Sequence, residues 1–561
     1  MILWTALTLP PPPRALAPPT WLVPRVLVRG AFHVHSRASD GTGTREDIAR
    51  AAARAGLSFV ILTDHGDGTR VPAPAAYHAG VLCIDAVEIS TAQGHYAAVG
   101  MRPAPYPLGG EARDVVEDVA RLGGFGVVSH PGSAKPELGW RAWETPFDGI
   151  EWLNADTEWR DETWGRLARL SLEYPFRGAA ALVSVFDRPD PVLSRYDAIT
   201  RQRQVVALAG ADAHARFGIR STRDPYQGMS FAGLPSYEAA FRVFALRVEL
   251  ERPPTGDASR DAERLIEALR AGHVYTAIDG LAGPAVLDFT ATSGANRARP
   301  GDRLVIDGPV ELQVRVNAPV GSTITLLSSG VPVARAAGGA LTHRAAAGAG
   351  VFRVEVGWPR APGTPPVPWI MSNPIYVGPP VAPEPGTRAP RPPVEAMPVL
   401  DLRRLTDWHI EHGPRSDGHI ERAADPDAFE CRWRFNLGPG PAAGQFAAFA
   451  RPLRPSSAAS FDRLSFRIRS GTPMRISVQV RVPGSREGQR WQRSVYVDET
   501  PREISVFFDG MRPIGPTASD RPDLRRVDSL LFVVETTNAR PGSAGEVWVR
   551  DVRLQSPDIL R

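Results

Sequence analysis

Six of the chain's twelve histidines stand at the boundaries of strand-like apolar runs, and no other feature restricts the fold so tightly. They fall in five short segments: His33-Val-His35, Thr63-Asp-His65, Gly94-His95, Ser129-His130-Pro-Gly and Gly210-Ala-Asp212-Ala-His214. Four of these close a run, whereas His95 opens one. Carboxylates accompany them at Asp40, Asp64, Glu88 and Asp212. Two residues apart on a strand, His33 and His35 share one face, and so do Asp212 and His214. One histidine after an apolar run is more often a core or capping residue. Independent structural histidines would not all choose strand boundaries beside a carboxylate or glycine. Gathered in one pocket, they are the donor set of a multi-metal site.

Between residues 26 and 280, strand-like segments alternate with helical patterns at 45–55, 112–122, 162–172 and 191–201. Runs such as Phe59-Val-Ile-Leu62 and Val205-Val-Ala-Leu208 suit strands buried on both faces. Repeated strand-then-helix is the pattern of an α/β barrel or a doubly wound sheet, and the histidine clusters at strand ends favour the barrel, whose active-site mouth lies at the carboxyl ends of the strands. After Gly280 the pattern changes to short alternating segments between Gly, Pro, Asn and Asp turns. Residues 281–377 are expected to form a small antiparallel β-sandwich, and 378–398 a Pro-rich, semi-rigid linker. Residues 399–561 are expected to form a second sandwich of jelly-roll type.

Residues 1–25 read as a Pro-rich segment or a poorly formed signal peptide. A basic leader is missing, and Pro18 obstructs cleavage after Ala15-Leu-Ala17. An exported or periplasmic location stays open, with a mis-set start as the rival explanation. No window reaches the roughly 18–20 apolar residues of a membrane span. The net charge is only +4, and the arginines are interleaved with acids rather than drawn into a basic stripe. Polyanion binding as the main role is thereby excluded, and nucleic acid is not indicated beyond a nucleotide substrate. Cys83 and Cys431 are isolated and form no CxxC or disulfide framework.

The segments HVHSRASDG (33–41), TDHG (63–66), EIS with a following GHY (88–96), SHPG (129–132) and GADAH (210–214) resemble, in order, spacing and residue type, the PHP family of polymerase-and-histidinol-phosphatase metalloesterases. The resemblance covers roughly residues 26–280. It implies a distorted (β/α)7 barrel, here followed by the two β-sandwiches, with two or three divalent ions (zinc, manganese or iron). Carried over by motif, His33, His35 and Asp212 would bind the first metal, and Glu88 would bridge the first and second. His95 and His130 would complete the second; Asp40, His65 and His214 would hold a third. Asp40 stands where several relatives use histidine. A softer resemblance, over ALRAGHVYTAIDG (268–280) and PWIMSNPIYV (368–377), is to a multidomain branch similar to bacterial carbamate-ester metallohydrolases. The last module weakly resembles carbohydrate-binding and galactose-binding-like jelly rolls, through FDRLSFRIRS…RISVQVRV (461–482) and EVWVRDVRL (546–554), which implies a glycan partner.

The expected function is metal-dependent hydrolysis of a phosphoester by a metal-bound hydroxide at a di- or trinuclear site. Two close cations lower the pKa of a shared water towards about 7. Hydrolysis of a carbamate or carboxylic ester on the same centre is the alternative. A glycan-binding protein with an inactive barrel is the alternative of another class. Asp212 either handles the proton of the attacking water or serves only as a ligand; Asp64 supports catalysis by orienting its neighbour His65. Arg37, Lys135, Arg216 and Arg220 follow the metal motifs closely and would reach an anionic small-molecule substrate. Trp140, Trp143 and Trp152, with Asn154, would wall an apolar pocket and favour the ester alternative. The insertion Arg216–Pro235 is expected to act as a lid.

Overall fold

The computed structural model describes residues 9–21, 25–220, 228–232, 235–345, 350–379, 396–399, 402–423, 430–454, 456–483, 488–515, 517 and 519–556. They divide into two units, residues 1–103 with 111–384 and residues 104–110 with 385–561. The first residues of the leader and most of the Pro-rich linker expected at 378–398 lie outside the described residues.

In the first unit the chain runs β1 (Val26–Val34), α1 (Arg45–Arg54), β2 (Phe59–Leu62), β3 (Val81–Thr91), β4 (Gly94–Val99), α2 (Ala112–Arg121), β5 (Phe125–Ser129), β6 (Gly149–Asn154), α3 (Ala155–Arg160), α4 (Trp164–Val183), α5 (Asp190–Thr200) and β7 (Val206–Ala213). The seven strands close into a barrel in chain order, with β7 returning to pair with β1. Every residue of β2 is buried, as an apolar run covered on both faces should be. Helix α1 starts at a Thr44–Asp47 capping box and turns Ile48, Ala49, Ala51 and Ala52 inward.

The expected (β/α)7 barrel followed by two sandwiches is not what forms. The chain is mostly β, 41% strand against 17% helix. Strand β4 runs antiparallel to both neighbours, and the other five pairings are parallel. The cause is short range. Only Ala92 and Gln93 separate β3 from β4, which suffices for a hairpin, whereas a parallel crossover needs a dozen or more residues. Nor does a helix fill the crossovers from β2 to β3 or from β5 to β6.

After the barrel come α6 (Tyr237–Phe241), β8 (Ala245–Leu250), α7 (Ala258–Arg270) and β9 (Val274–Ala277). Strand β1 is a branch point: Val26–Gly30 pair with β8, whereas Phe32 and Val34 pair with β7. The barrel sheet then continues through β9 into residues 303–377. Strands β10 (Leu287–Ser293), β11 (Val310–Val316) and β13 (Ala340–Ala345) belong to a separate sheet, but β12 (Thr323–Ser328) pairs with β14 (Gly350–Gly357), β14 with β15 (Ile370–Ser372), and β15 with β9. Buried ion pairs lock this extension to the barrel's helices, with Arg353 of β14 fully buried against Asp197 of α5.

The second unit has two six-stranded sheets. Trp433 and Phe466 from one meet Phe449 and Phe532 from the other, with Phe466 edge-on to Phe532 at 5.0 Å between ring centroids. Among the described residues no helix is long and apolar enough to cross a membrane.

One buried carboxyl on α3 makes the stability of the first unit pH-dependent. Glu158 accepts the Asp187 N–H at 2.9 Å. Burial pushes its pKa from an ordinary 4.5 to about 8, helped by the nearby carboxylates of Asp161, Asp187 and Glu162. The folded state therefore holds a proton that the unfolded chain has already released, and stability falls as pH climbs from 4.5 through 8. Glu158→Gln keeps the acceptor and removes the charge. In denaturant titrations it should match the wild type near pH 5 and gain on the order of 3 kcal/mol over it by pH 9. A difference that does not change with pH would contradict this.

Candidate metal centre

The site gathers where β1, β2, β3, β5 and β7 end and where β4 begins. Three of its side chains hang from left-handed backbone: His33 at φ 64°, His130 at φ 31° and Asp212 at φ 44°. Non-glycine residues avoid this region, and such strain collects at functional sites. At His33 the register of β1 slips against both β2 and β7, so the residue occupies a bulge. His33 and His35 then present their Nε2 atoms 3.1 Å apart.

Glu88 is the hub. Its Oε1 lies 2.9 Å from His130 Nε2 and 3.2 Å from His95 Nδ1. Its Oε2 lies 3.2 Å from His65 Nδ1, 3.3 Å from His33 Nε2 and 3.4 Å from His35 Nε2. Asp212 Oδ1 is 3.4 Å from both His33 and His35 Nε2. Asp40 Oδ1 completes the far side, 3.2 Å from His214 Nε2, 3.6 Å from His35 Nδ1 and 3.7 Å from His65 Nε2. All nine candidate ligands thus meet in one cluster. Four overlapping groups have their donor atoms within 4.8 Å of one another: His35, Asp40, His65 and His214; His33, Glu88 and His130; His33, His35 and Asp212; His65, Glu88 and His95.

The electrostatics match a place meant for cations. Burial would raise Glu88, yet the imidazoles of His33, His65 and His95 and the bond from His130 hold it well below the usual carboxylate range. Asp212 is likewise held down, against its burial, chiefly by His33. Burial would lower His214, but Asp40 and Asp212 carry it up to about 9. His65 goes the other way, to about 4, because desolvation outweighs Glu88.

The fit to metal ions rests on one atom. Glu88 Oε2 is buried and makes no hydrogen bond, although three imidazole nitrogens stand 3.2–3.4 Å away. An orphaned carboxylate oxygen among convergent nitrogens is costly unless something else satisfies it. Six imidazoles and three carboxylates suit zinc, manganese or iron. These nine side chains can hold divalent cations.

The other expected residues are placed variously. Asp64 is buried, and its oxygens accept from Ser36 N, Ser36 Oγ and Ser39 Oγ, each at 2.7 Å, so it braces the loop leading to Asp40. Arg216 lines a cleft with Asp156, Asp212 and His214. Arg37 is exposed, its Nε bonded to the carbonyl of Thr42 at 2.5 Å. Half-buried Lys135 sits in the loop after His130, which returns Leu138 O to within 3.2 Å of His130 Nδ1. The Arg220 side chain and residues 221–227 and 233–234 of the expected lid lie outside the described residues, and Arg216–Arg220 pair antiparallel with Gly228–Ala232. Trp140 and Trp152 are buried packing residues, with Trp140 stacked on Tyr96 and Trp152 bonded through Nε1 to Thr276. A cavity of about 320 Å³ opens beside His65.

Sequence reasoning missed Glu151, Asp156 and Arg160. Glu151 is fully buried, with Oε1 2.6 Å from His33 Nδ1. Arg160 pairs with Asp156 on α3; burial works against its charge, and Asp156, Asp212 and Asp40 restore it. The available signal was a carboxylate inside the apolar strand Gly149-Ile-Glu-Trp-Leu-Asn154, because acids are seldom fully buried without a partner.

No family model and no curated protein matches the chain. Among solved structures it is similar to a two-domain protein of Bacteroides vulgatus ATCC 8482, described as containing a predicted PHP-like metal-dependent phosphoesterase (15% identity, 65% of this chain and 98% of that one, TM-score 0.29). It is also similar to a family 11 carbohydrate-binding module from a cellulosomal cellulase of Clostridium thermocellum (15% identity, 29% of this chain and 96% of that one, TM-score 0.25). At such TM-scores the likenesses carry no argument, and what the chain can do is read from the cluster itself.

Proposed function

We propose that the chain is a metal-dependent hydrolase of phosphoesters. The observation that carries the reading is the divided Glu88 carboxylate, each oxygen turned to a different set of histidines. Divalent ions held there would polarise a substrate oxygen and acidify water. Asp212 lines the cleft beside the histidines, where its carboxylate would take up the proton of the attacking water. Arg216 lines the same cleft and supplies positive charge for an anionic substrate, and Arg160, paired to the cleft residue Asp156, interacts electrostatically with Asp212 and Asp40. Asp64 acts at one remove, by holding the loop that carries Asp40.

The test is metal content by elemental analysis, coupled to turnover of para-nitrophenyl phosphate, bis-para-nitrophenyl phosphate and 1-naphthyl N-methylcarbamate. Two or more ions per chain with phosphoester turnover support the reading. Carbamate turnover alone would replace it with the ester alternative. No bound metal and no turnover after reconstitution with zinc, manganese and iron would end both. Arg160→Met separates the substrates further. It should raise KM for the phosphoester about 10–100-fold, as loss of a charge-assisted contact does, while moving kcat less. An unchanged KM would remove Arg160 from substrate binding.

A glycan-binding role for residues 399–561 is a second proposal. Its support is a polar cleft of about 280 Å³ lined by Ser465, Arg467, Glu503, Asp551, Arg553 and Gln555. Retarded migration through polysaccharide-containing native gels, relieved by Arg467→Ala, would sustain it; unretarded migration would dismiss it.

A further inference from the structure

We propose that Glu151 is a positioning residue that sets how tightly the cluster holds its cations, acting mainly through His33, and that Gly210 is the slot that admits it. This rests on the metal-centre reading above, although Glu151 belongs to none of the donor groups.

Every contact of this carboxylate faces the machinery. Oε1 receives the His33 Nδ1–H at 2.6 Å, and Oε2 receives the His130 backbone N–H at 2.7 Å and Asn154 Nδ2 at 2.8 Å. The first bond fixes the His33 tautomer, so its Nε2 lone pair points at Glu88, His35 and Asp212. The second anchors a histidine whose backbone is left-handed at φ 31° and would otherwise relax. The third holds Asn154, whose Oδ1 caps α3 by accepting the Thr157 N–H at 3.0 Å. One buried carboxylate thus orients a ligand, steadies a strained ligand and ties both to the helix bearing Asp156 and Arg160.

The chemistry leaves little choice of residue. Three donors and no acceptor face the group. A glutamine would turn its NH2 against one of them, and an aspartate falls one methylene short. The space is equally specific. Gly210 on β7 pairs with Asn154 on β6, and a Cβ at position 210 would overlap the Glu151 carboxylate. An alanine there pushes Glu151 off His33, since the three atoms its Cβ would meet first all belong to that carboxylate.

The experiment measures zinc affinity by competition with a chromophoric chelator in wild type, Glu151→Gln, Gly210→Ala, His33→Ala and the double variant His33→Ala/Glu151→Gln. Glu151→Gln and Gly210→Ala should each weaken binding about 10–100-fold. In the His33→Ala background, Glu151→Gln should add less than about threefold, because its target is gone. A merely structural role would cost the same in both backgrounds, and that additivity would overturn the proposal. So would wild-type affinity in Glu151→Gln, an isosteric change that decides the matter even if Gly210→Ala fails to fold. Absence of zinc binding by the wild type would instead overturn the metal-centre reading beneath it.

Discussion

On the proposed function, Glu88→Gln should lower the bound metal by at least one ion per chain and cut phosphoester hydrolysis at least about 10³-fold. The substitution is isosteric and lies in a fully buried position, so its effect is chemical. A carboxylate offers lone pairs from both oxygens, and here each oxygen has its own audience: His95 and His130 on one side, His33, His35 and His65 on the other. The glutamine amide accepts from one atom only, so one of the two histidine sets must lose its partner whichever way the amide turns. It also lacks the negative charge that offsets cations in a buried cluster. Elemental analysis alongside para-nitrophenyl phosphate turnover decides the matter. Unaltered metal content and turnover would show that Glu88 is not the hub.

Asp197→Ala should destabilise the first unit by about 3–5 kcal/mol. Arg353 is 2% exposed. Its Nε and Nη2 both donate to the Asp197 carboxylate at 2.7 Å, and its Nη1 donates to Glu355 at 2.5 Å. Glu355 is already bound by Arg188 at 2.6 and 2.9 Å, so it cannot take over the whole load. Removing Asp197 strands a guanidinium where water does not reach. The double variant Asp197→Ala/Arg353→Leu should recover most of the loss, since taking out both charges leaves none unpaired. Denaturant midpoints of the three proteins measure this. A single-variant loss below about 1 kcal/mol would mean that water or a neighbouring carboxylate compensates the arginine.

The cluster of candidate ligands was legible in the sequence because histidines and carboxylates stand where apolar runs break. The nine side chains come together across six strands. The barrel was legible only as a sequence of strands. Its hand of pairing at β4 hinges on a two-residue connection at Ala92–Gln93, a detail that strand-and-helix alternation does not register. Glu151 escaped notice because a single acid in an apolar strand has no motif of its own; its meaning comes from Gly210, 59 positions away, which leaves the space for it. Arg160 escaped for a related reason, since it follows no histidine motif and is brought near Asp212 and Asp40 only by α3, which Asn154 caps.

The branching of β1 sets a timetable for synthesis. Phe32 cannot find its partner Gly210, nor Val28 its partner Val248, until those residues have been made. At ordinary elongation rates of about 5–20 residues per second, the first strand waits on the order of 10–40 s with one edge open, although β2 is soon made to cover the other. Throughout that interval the nascent chain presents the unpaired edge of Val26–Val34, where another copy can pair with it. Slower translation or crowded polysomes should therefore shift its yield from folded protein to aggregate well before any substitution does.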